Sequence, residues 1–406
     1  MKIYKKKIIF DGAYGIDSFG DDAALIIISK KLKKLYKYLD LVAVSRHAAS
    51  NSYKKYGIRT IEGIEHATKK QSIGKFFYGF NYDDDRNKLL NLYQEIKSSN
   101  LLILGAGNMI NEISLGFMKG NMFRMLIVSL IARVSNVPIL WLGISATPLK
   151  TTLGKKLLHV LVNLTNKINL RDHSSLGIFK KNLIKKKISI TSDIVYAINV
   201  KENHELNFKE YVNAHKNPNG VISISLRSTT KEMGIAYQDY INLMSNVSDQ
   251  LIDDWDVSIL FIPQCIYKFG TYDQDDRNVA KDIILKSKNK KKMFRIKNSL
   301  NFEECYTLYK RSKVSICTRL HGNVFSVRNS IPTVGISYNP KVFNFFKFFK
   351  IEKYCLDAKY LSKEKLIEKV EMALKNKEKF NNISKKVYLE GLNTLDKSVK
   401  FVKELL

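Results

Sequence analysis

The chain has 406 residues, of which 68 are lysine or arginine and 38 are aspartate or glutamate, giving a formal net charge of +30 at pH 7. With 45% hydrophobic residues, 11% aromatic residues and only 6 prolines, the composition excludes a disordered, collagen-like or proline-rich chain. A globular chain of this length predicts two domains, or three at the usual domain size.

The four cysteines show no CxxC or Cys/His spacing, so the sequence predicts neither a zinc site nor a disulfide scaffold, and we expect no metal. The longest apolar stretch, residues 125–146, contains Arg133, Asn136 and Pro138, which predicts a helix followed by a strand rather than a membrane span. The apolar run at residues 8–10 is too short for the core of a signal peptide. We therefore expect a cytoplasmic protein.

The positive charge consists mainly of lysines that are scattered along the whole chain. Such a pattern is more typical of compositional bias and solubility than of nucleic-acid binding, so we expect no nucleic-acid partner. An alternative stays open. Lysine-rich segments such as residues 286–297 would be attracted to an anionic membrane surface, which allows peripheral association with the inner face of the membrane.

The first half of the chain predicts alternating strands and helices. An apolar strand at residues 8–10 leads into a glycine-rich loop and then into a helix, whose apolar residues recur at steps of three and four from Leu25 to Leu39. This alternation predicts a parallel sheet covered on both faces. Further strands are predicted at 41–44, 101–104, 137–144, 168–170 and 188–190, and further helices at 123–134 and 153–164.

The alternation restarts after a polar stretch. Residues 201–219 lack a sustained period and are predicted to be a linker between an N-terminal Rossmann-like domain (1–200) and a C-terminal one (220–361). Residues 362–406 predict Lys/Glu-rich helices that pack across the domains. The second domain predicts strands at 221–226, 258–262, 314–317 and 333–336, and helices at 237–251, 279–285 and 302–310. The expected fold is α/β, with two doubly wound domains facing a cleft.

The first candidate loop, residues 12–22, contains Gly15, Gly20 and Asp21. Ligands of open parallel sheets bind beyond the carboxyl ends of strands, where such loops lie. The loop has neither a GxGxxG pattern nor a Walker lysine. On spacing alone, a tight turn with Asp21 or Asp22 as the helix N-cap is the favoured interpretation.

The second candidate loop contains Gly105, Gly107 and Asn108. Because glycine has no side chain, the backbone N–H groups of this loop could approach an anion, and a plain turn is an equally good interpretation.

Gln264 follows a further predicted strand and precedes Asp273, Asp275 and Asp276. That segment is either a polar loop at the cleft or a capped entry to a helix.

Two further segments place cations after strands. Arg227 follows the strand at 221–226, and Arg319 and His321 follow the strand at 314–317. If the backbone stays extended, the i, i+2 spacing points Arg319 and His321 to the same side. A guanidinium fork suits carboxylate or phosphate, and a neighbouring imidazole exchanges protons. The alternatives are a structural salt bridge for Arg319 and a buried, satisfied histidine for His321.

Other polar residues give weaker signals. Arg171 and Asp172 follow a strand and predict either a site contribution or an internal ion pair. The remaining histidines have no metal-ligand spacing and are expected to be surface or satisfied residues. They are His47, His66, His159, His173, His204 and His215.

The order of these segments resembles that of the polysaccharide pyruvyl transferase family. Asp22 stands where the family usually has Glu, and Ala106 interrupts the glycines of the second loop. The resemblance extends over about residues 10 to 345. The segments that carry it are residues 20–25, 104–109, 171–175, 192–193, 224–227, 319–321 and 331–342.

The resemblance implies a GT-B-like fold and transfer of a pyruvyl (carboxyethylidene) group from phosphoenolpyruvate to a sugar of a cell-surface or capsular polysaccharide precursor. The product would be a pyruvate ketal. Position by position, it implies that Arg227, Arg319 and His321 bind the donor together with the adjacent Leu320 and Gly322, and that His321 is the acid/base. The acceptor or cleft loops would contain Gly15, Gly20, Asp21, Gly105, Gly107, Asn108 and Gln264.

The donor's chemistry agrees with these residue types. Phosphoenolpyruvate presents a phosphate and a carboxylate, which two arginines and a helix N-terminus neutralise without a metal or a cofactor. A histidine with a pKa near 6.5 serves in turn as general acid and general base. The expected partner is a saccharide acceptor, lipid-linked or nucleotide-linked, and a homo-oligomer is compatible with the sequence. Two alternatives remain: a GT-B glycosyltransferase that uses a nucleotide sugar, and a noncatalytic anion-binding or scaffold protein.

Overall fold

The computed structural model describes residues 6–45, 53–64, 83–112, 115, 120–200, 206–266 and 271–406. The chain folds into two compact units. The first unit comprises residues 1–16, 24–194 and 391–406, and the second comprises residues 17–23 and 195–390. Over the described ranges, no helix combines the length and the apolar character that a membrane crossing requires.

The first unit is built on a parallel sheet with the strand order β3-β2-β1-β4-β6-β7-β8, and β5 also pairs with β6. Its central strands are buried along nearly their whole length, as apolar strands covered on both faces must be. Its strands are β1 (Lys6–Asp11), β2 (Leu39–Ser45), β3 (Ile58–Glu62), β4 (Leu101–Leu104), β5 (Gly107–Ile110), β6 (Ile139–Ala146), β7 (Lys167–Leu170) and β8 (Ile188–Ile190).

The second unit is built on another parallel sheet, with the order β11-β10-β9-β12-β13-β14. Strands β9, β10 and β13 are buried at every residue, so this sheet too has helices on both faces. Its strands are β9 (Val221–Ser225), β10 (Ser258–Phe261), β11 (Met293–Arg295), β12 (Ser312–Cys317), β13 (Thr333–Ser337) and β14 (Cys355–Asp357).

Helices connect the strands, as the right-handed crossovers of parallel sheets require. Several start at the polar caps that their sequences supply. Asp172 accepts a hydrogen bond from the Ser175 N–H, and Asn339 caps a helix that has Pro340 at its first position. The helices are α1 (Phe19–Leu35), α2 (Asp83–Lys97), α3 (Asn121–Val134), α4 (Thr152–Leu164), α5 (His173–Lys181), α6 (Lys209–Ala214), α7 (Tyr237–Trp255), α8 (Asp276–Lys286), α9 (Phe302–Thr307), α10 (Leu320–Arg328), α11 (Pro340–Phe348), α12 (Lys363–Lys375) and α13 (Lys377–Lys403).

The predicted α/β class with two parallel sheets and C-terminal helices is confirmed. The strands predicted at 101–104 and 188–190 have the observed bounds, and the other long elements differ by a few residues at their ends. The first helix ends at Leu35 instead of continuing to Leu39, because Leu39 begins β2. The short strands β3, β5, β11 and β14 have too few residues to show a period and were not predicted.

The domain boundaries differ from those expected. The predicted linker at 201–219 contains α6, in which Tyr211 and Ala214 are buried, so this part of the chain packs within the second unit. A six-residue helix shows less than two turns, which is too short for its period to be recognised in a polar segment. The first turn of α1 also belongs to the second unit, and α13 contributes residues to both units.

Candidate functional site

In the second unit, the two predicted arginines follow neighbouring parallel strands at equivalent positions. Ser225 of β9 pairs with Cys317 of β12, and each arginine lies two residues beyond this pair. Thr318 joins the two strand ends, because its N–H donates to the Ser225 carbonyl (2.9 Å) and its hydroxyl accepts from the Arg227 N–H (2.9 Å). The carboxyl ends of β9 and β12 therefore hold Arg227 and Arg319 at one edge of the sheet, as the sequence predicts.

Arg319 forms a two-point ion pair with Asp276. Its Nε and Nη2 donate to the two carboxylate oxygens at 2.7 and 2.6 Å. The Asp276 side chain is only 1% exposed, and Oδ2 also accepts the backbone N–H groups of Gln264 (3.0 Å) and Cys265 (2.9 Å). Four hydrogen bonds thus satisfy this buried carboxylate, and the structural salt bridge considered from the sequence is present.

This ion pair determines which part of Arg319 is available to a ligand. Burial lowers the pKa of Arg319, but the charge of Asp276 and its hydrogen bonds outweigh burial and raise the pKa overall. The side chain is 23% exposed. The fork formed by Nε and Nη2 is occupied by Asp276, so only the Nη1 edge of the guanidinium remains for a ligand.

Arg227 is held differently. Its Nη1 donates to the Tyr338 hydroxyl (2.9 Å), its Nε donates to the Ser228 carbonyl (3.1 Å), and its guanidinium carbon lies 4.7 Å from the centre of the Tyr338 ring. Within the described ranges, no carboxylate pairs with Arg227. Tyr338 follows β13, the strand next to β12. The guanidinium is thus oriented by an aromatic ring while its charge is not neutralised.

His321 lies in the first turn of a helix. Because α10 begins at Leu320, the extended backbone considered for residues 319–321 is not found, and the strand-like i, i+2 spacing does not set the direction of His321. Arg319 is the N-cap residue, and its side chain makes no capping hydrogen bond. The Arg319 side chain therefore does not cap the first N–H groups of α10, and the positive end of the helix dipole lies next to Arg319. Leu320 and His321 are half-buried.

Gly20 packs directly against His321. A Cβ atom at Gly20 would overlap Nδ1 and Cγ of the imidazole. Residues 17–23 belong to the second unit, where the Phe19 N–H donates to the Gln264 carbonyl (3.2 Å) and the Ile266 N–H donates to the Asp17 carbonyl (3.2 Å). The structure therefore brings three of the predicted residues, Gly20, Gln264 and His321, into one arrangement.

The acidic residues of the first loop differ from the capping prediction. Helix α1 begins at Phe19, so Asp21 and Asp22 lie within its first turn instead of preceding it as the N-cap. Carboxylates are favourable there because of the helix dipole. The Ser18 hydroxyl donates to Asp21 Oδ2 (2.8 Å). Asp21 is half-buried and Asp22 is buried.

Gln264 belongs to a buried polar layer beneath α10. It is 2% exposed, and its Nε2 donates to the Tyr309 hydroxyl (2.9 Å) and to Cys305 Sγ (3.1 Å). Gly322 lies above this layer, since a Cβ there would be 3.2 Å from both Ser225 Oγ and the Tyr309 hydroxyl. Burial raises the pKa of the Cys305 thiol and of the Tyr309 hydroxyl, so both stay neutral. This layer supports the helix N-terminus from below.

In the first unit, two arginines form buried ion pairs with aspartates. Arg171 Nη1 donates to Asp193 Oδ2 (2.7 Å), whereas Asp172 caps α5, so the internal ion pair considered for Arg171 and Asp172 is made with Asp193 instead. Arg124 on α3 pairs with Asp11 at the end of β1. This second pair was not predicted from the sequence, because Arg124 lies inside an apolar helix and 113 residues separate the partners.

The glycines of the first unit serve backbone packing. A Cβ at Gly105 would overlap the Leu142 carbonyl oxygen, and the φ of Gly105 is 138°. Gly107 and Asn108 begin β5. Gly15 has a φ of 73°, and its N–H donates to the Tyr53 hydroxyl (3.1 Å). These positions therefore have the structural role of tight turns and close backbone approach.

The remaining histidines do not form a site in the described part of the chain. His159 and His173 are exposed, and burial lowers the pKa of His215, whose Nδ1 lies 2.8 Å from the Tyr211 carbonyl. In the same ranges, no group of three His, Cys, Asp or Glu side chains is placed to hold a metal ion. His47, His66 and His204 lie outside the described residues.

Comparisons with known proteins match this chain to a family and to a fold. The family model described as "Polysaccharide pyruvyl transferase" matches residues 4–340. The amylovoran biosynthesis protein AmsJ of Erwinia amylovora is 23% identical over 259 residues. That match spans 62% of this chain and 61% of the relative, or about three fifths of each.

Two solved structures share the fold at low identity. The UDP-GlcNAc 2-epimerase from Neisseria meningitidis bound to UDP-GlcNAc is 10% identical with a TM-score of 0.61, and the alignment covers 98% of this chain and 100% of that one. The UDP-GlcNAc 2-epimerase from Methanocaldococcus jannaschii is 12% identical with a TM-score of 0.60, covering 91% and 92%. These likenesses show a GT-B-like fold.

Proposed function

The chain belongs to the polysaccharide pyruvyl transferase family, and we propose that it transfers a pyruvyl group from phosphoenolpyruvate to a sugar, forming a pyruvate ketal. The observation that carries this proposal is the state of Arg227. It is a permanent cation at a strand end, oriented by Tyr338 and without a carboxylate partner in the described ranges. A small dianionic donor would supply the missing negative charge.

The charges around Arg227 match a donor that carries both a phosphate and a carboxylate. Arg227 offers its remaining guanidinium N–H groups, the first turn of α10 offers backbone N–H groups, and Arg319 offers its Nη1 edge. We assign Arg227 and the helix N-terminus to the larger charge, the phosphate, and Arg319 to the carboxylate. Asp276 keeps Arg319 in place, so it is a positioning residue for the donor.

The reaction requires proton transfers at two stages. Protonation of the donor methylene carbon makes C2 electrophilic, and the first sugar hydroxyl adds to C2 as it loses its proton. The bond between C2 and the phosphate oxygen then breaks, phosphate leaves, and the second hydroxyl forms the other C–O bond of the ketal. Overall, one hydroxyl proton ends on the new methyl group and the other ends on phosphate. A single acid/base group therefore serves both stages.

His321 is our candidate for this group. It is half-buried in the first turn of α10, two residues after Arg319, and Gly20 packs against its ring. The glycine leaves the imidazole in close contact with the backbone, which limits its movement. An imidazole ring can both donate and accept a proton, as the two stages require.

The acceptor that we propose is a saccharide of a cell-surface or capsular polysaccharide precursor. The curated relative is named for amylovoran biosynthesis, and one structure with the same fold was solved with a bound nucleotide sugar. Both facts concern those proteins, and they support a saccharide as the second substrate here. A cytoplasmic location and a lipid-linked or nucleotide-linked acceptor are parts of the same proposal.

Mass spectrometry of an acceptor panel incubated with phosphoenolpyruvate tests the proposal. We expect a ketal adduct on one acceptor and release of an equal amount of phosphate. His321→Ala should lower kcat by roughly 10²- to 10⁴-fold, as expected for loss of a general acid/base, and should change the donor KM much less. The matched control is His159→Ala, an exposed histidine of α4, which should leave both constants unchanged.

Ligand-dependent thermal stabilisation separates this function from its rivals. Phosphoenolpyruvate should raise the melting temperature of the wild type, and this rise should be lost in Arg227→Ala. Stabilisation only by UDP-sugars or GDP-sugars, together with glycosyl transfer, would replace the proposal with a glycosyltransferase. Donor binding without phosphate release from any acceptor would indicate a noncatalytic anion-binding protein.

A further inference from the structure

Helix α11 exposes two aromatic side chains. Its inner face is buried through Val342, Phe345 and Phe346, whereas Phe343 is 42% exposed and Phe348 is 56% exposed. In the described part of the chain, these are the two phenylalanines classed as exposed, and both lie on this nine-residue helix. Large apolar side chains on one outer surface are typical of an interaction site.

Two exposed lysines lie close to these two phenylalanines in the sequence. Lys347 lies between Phe343 and Phe348 in the sequence, Lys350 follows the helix, and both lysines are exposed. No carboxylate in the described ranges pairs with Lys347 or Lys350. We call the surface formed by Phe343, Lys347, Phe348 and Lys350 the aromatic–lysine face. It combines apolar area with positive charge that is not neutralised.

The lysine-rich segment singled out from the sequence is different. Within residues 286–297, Lys288 pairs with Asp253 (2.8 Å), Lys292 pairs with Asp256, and Lys297 lies 3.7 Å from Glu210. Three of the seven basic residues of this segment thus have a carboxylate partner, and the segment exposes no phenylalanine. Of these two lysine-bearing surfaces, the one at α11 combines exposed aromatic rings with lysines that lack a carboxylate partner among the described residues.

We propose that the aromatic–lysine face binds the surface of an anionic lipid membrane. Aromatic rings enter the boundary between headgroups and acyl chains, and lysines beside them attract anionic headgroups. Stable peripheral binding requires these two contributions together. Helix α11 supplies both, and its buried phenylalanines fix it to the second unit.

Charge favours a lipid surface over a second copy of this chain. In a symmetric dimer the same face would meet itself, so Lys347 and Lys350 of one copy would approach those of the other. Like charges brought together in this way oppose association. An anionic bilayer instead neutralises both lysines while it takes up both rings. This inference does not depend on the proposed reaction, because it concerns only where the protein binds.

Vesicle co-sedimentation of the full chain tests the inference. Wild-type protein should bind vesicles of phosphatidylglycerol and phosphatidylcholine, should not bind pure phosphatidylcholine vesicles, and should be released by high salt. Phe343→Ser/Phe348→Ser should weaken the partition coefficient roughly tenfold. Lys347→Gln/Lys350→Gln should weaken it about 25-fold, since each lysine near the surface contributes about fivefold.

Matched controls separate this face from the general charge of the protein. Leu389→Ser removes an apolar side chain on α13 that is more exposed than either phenylalanine, and Lys286→Gln/Lys291→Gln removes the same charge elsewhere. Both controls should keep most of the binding. Far-UV circular dichroism and the urea midpoint should match those of the wild type for every variant.

Two results would overturn the inference. One is vesicle binding that the aromatic variant leaves unchanged, or that is equally strong on uncharged lipid. The other is a wild type that dimerises without vesicles while Phe343→Ser/Phe348→Ser stays monomeric, which would make a second copy the occupant of this face. Loss of binding in the aromatic variant, with the controls unaffected, supports it.

Discussion

The arginines near the strand ends differ between the two sheets. In the first unit, Arg124 and Arg171 both pair with buried aspartates. In the second unit, Arg319 has such a partner in Asp276, but Arg227 is held by the ring and hydroxyl of Tyr338. Position at a strand end is therefore not sufficient to indicate a ligand site, because it is the partner that decides whether the charge is already neutralised.

The physical reason is the cost of burying charge. A carboxylate that is nearly inaccessible to water, such as that of Asp276, is tolerated because hydrogen bonds and an opposite charge compensate it. The arginine that compensates it is then committed to the fold. Tyr338 orients Arg227 without cancelling its charge, so the favourable interaction with an anion remains available. We therefore expect Arg227 to contribute mainly to ligand binding and Arg319 mainly to the stability of the fold.

The largest expected effect concerns Arg227. Arg227→Ala should lower kcat/KM for phosphoenolpyruvate on the order of 10²- to 10³-fold, because two or more charge-assisted hydrogen bonds to the donor are lost. Its melting temperature without ligand should stay close to that of the wild type, since no buried carboxylate is left without its partner. Steady-state phosphate release and thermal unfolding measure the two quantities.

Arg227→Lys provides the internal control for that variant. The ammonium keeps the charge but lacks the planar fork and stacks less well on Tyr338, so it should recover only part of the activity. If Arg227→Ala instead unfolds as readily as an Arg319 variant, the distinction between the two arginines is wrong.

The second prediction concerns Arg319. Arg319→Ala leaves the Asp276 carboxylate buried without an opposite charge, so we expect the free energy of unfolding to fall by about 3 kcal/mol. Two backbone N–H groups still bond to that carboxylate, which places the expected loss at the lower end of the usual range. Urea unfolding measures it. An Arg319→Ala variant of wild-type stability would show that the ion pair contributes nothing to the fold.

The sequence predicted the sheet edge but not how its residues are paired. Apolar runs followed by Arg227 and Arg319 were enough to place both arginines after neighbouring strands, because parallel strands end at the same edge of a sheet. The partner of Arg319 was visible only as one of several aspartates after Gln264. A choice among Asp273, Asp275 and Asp276 requires the three-dimensional path of the loop, which no local pattern contains.

Contacts between distant segments were the least predictable. The glycine at position 20 had an acceptable explanation as a turn residue, yet the structure shows that it makes room for His321, about 300 residues away. Arg124 and Asp11 were missed for the same reason. By contrast, the class of fold followed from local hydrophobic patterns that repeat through the chain.

The smallest expected effect concerns an ion-pair group near the surface of the first unit, where partners exist but burial is weaker. Glu95 accepts hydrogen bonds from Arg59 and Lys7, and the Arg59 hydrogen bond lowers the pKa of Glu95 more than partial burial raises it. Glu95→Gln should lower the free energy of unfolding by about 1 kcal/mol at pH 7, less than for Arg319→Ala, because Arg59 is 48% exposed and solvent screens the pair.

The pH dependence of this last effect has a defined sign. The pKa of Glu95 is lower in the folded protein than in the unfolded chain, so its stabilisation is fully present above the unfolded value. It is lost as the pH falls through the folded value, where the carboxyl becomes protonated and resembles the glutamine. Urea unfolding of the wild type and of Glu95→Gln from pH 7 down to about 3 measures this effect. The difference between their free energies of unfolding should disappear only at the acid end of this range. If the difference in the free energy of unfolding instead stays constant with pH, Glu95 stabilises the protein through packing and not through its charge. The weaker burial of the Glu95 ion pair would then not explain why its effect is smaller than that of the Arg319–Asp276 pair.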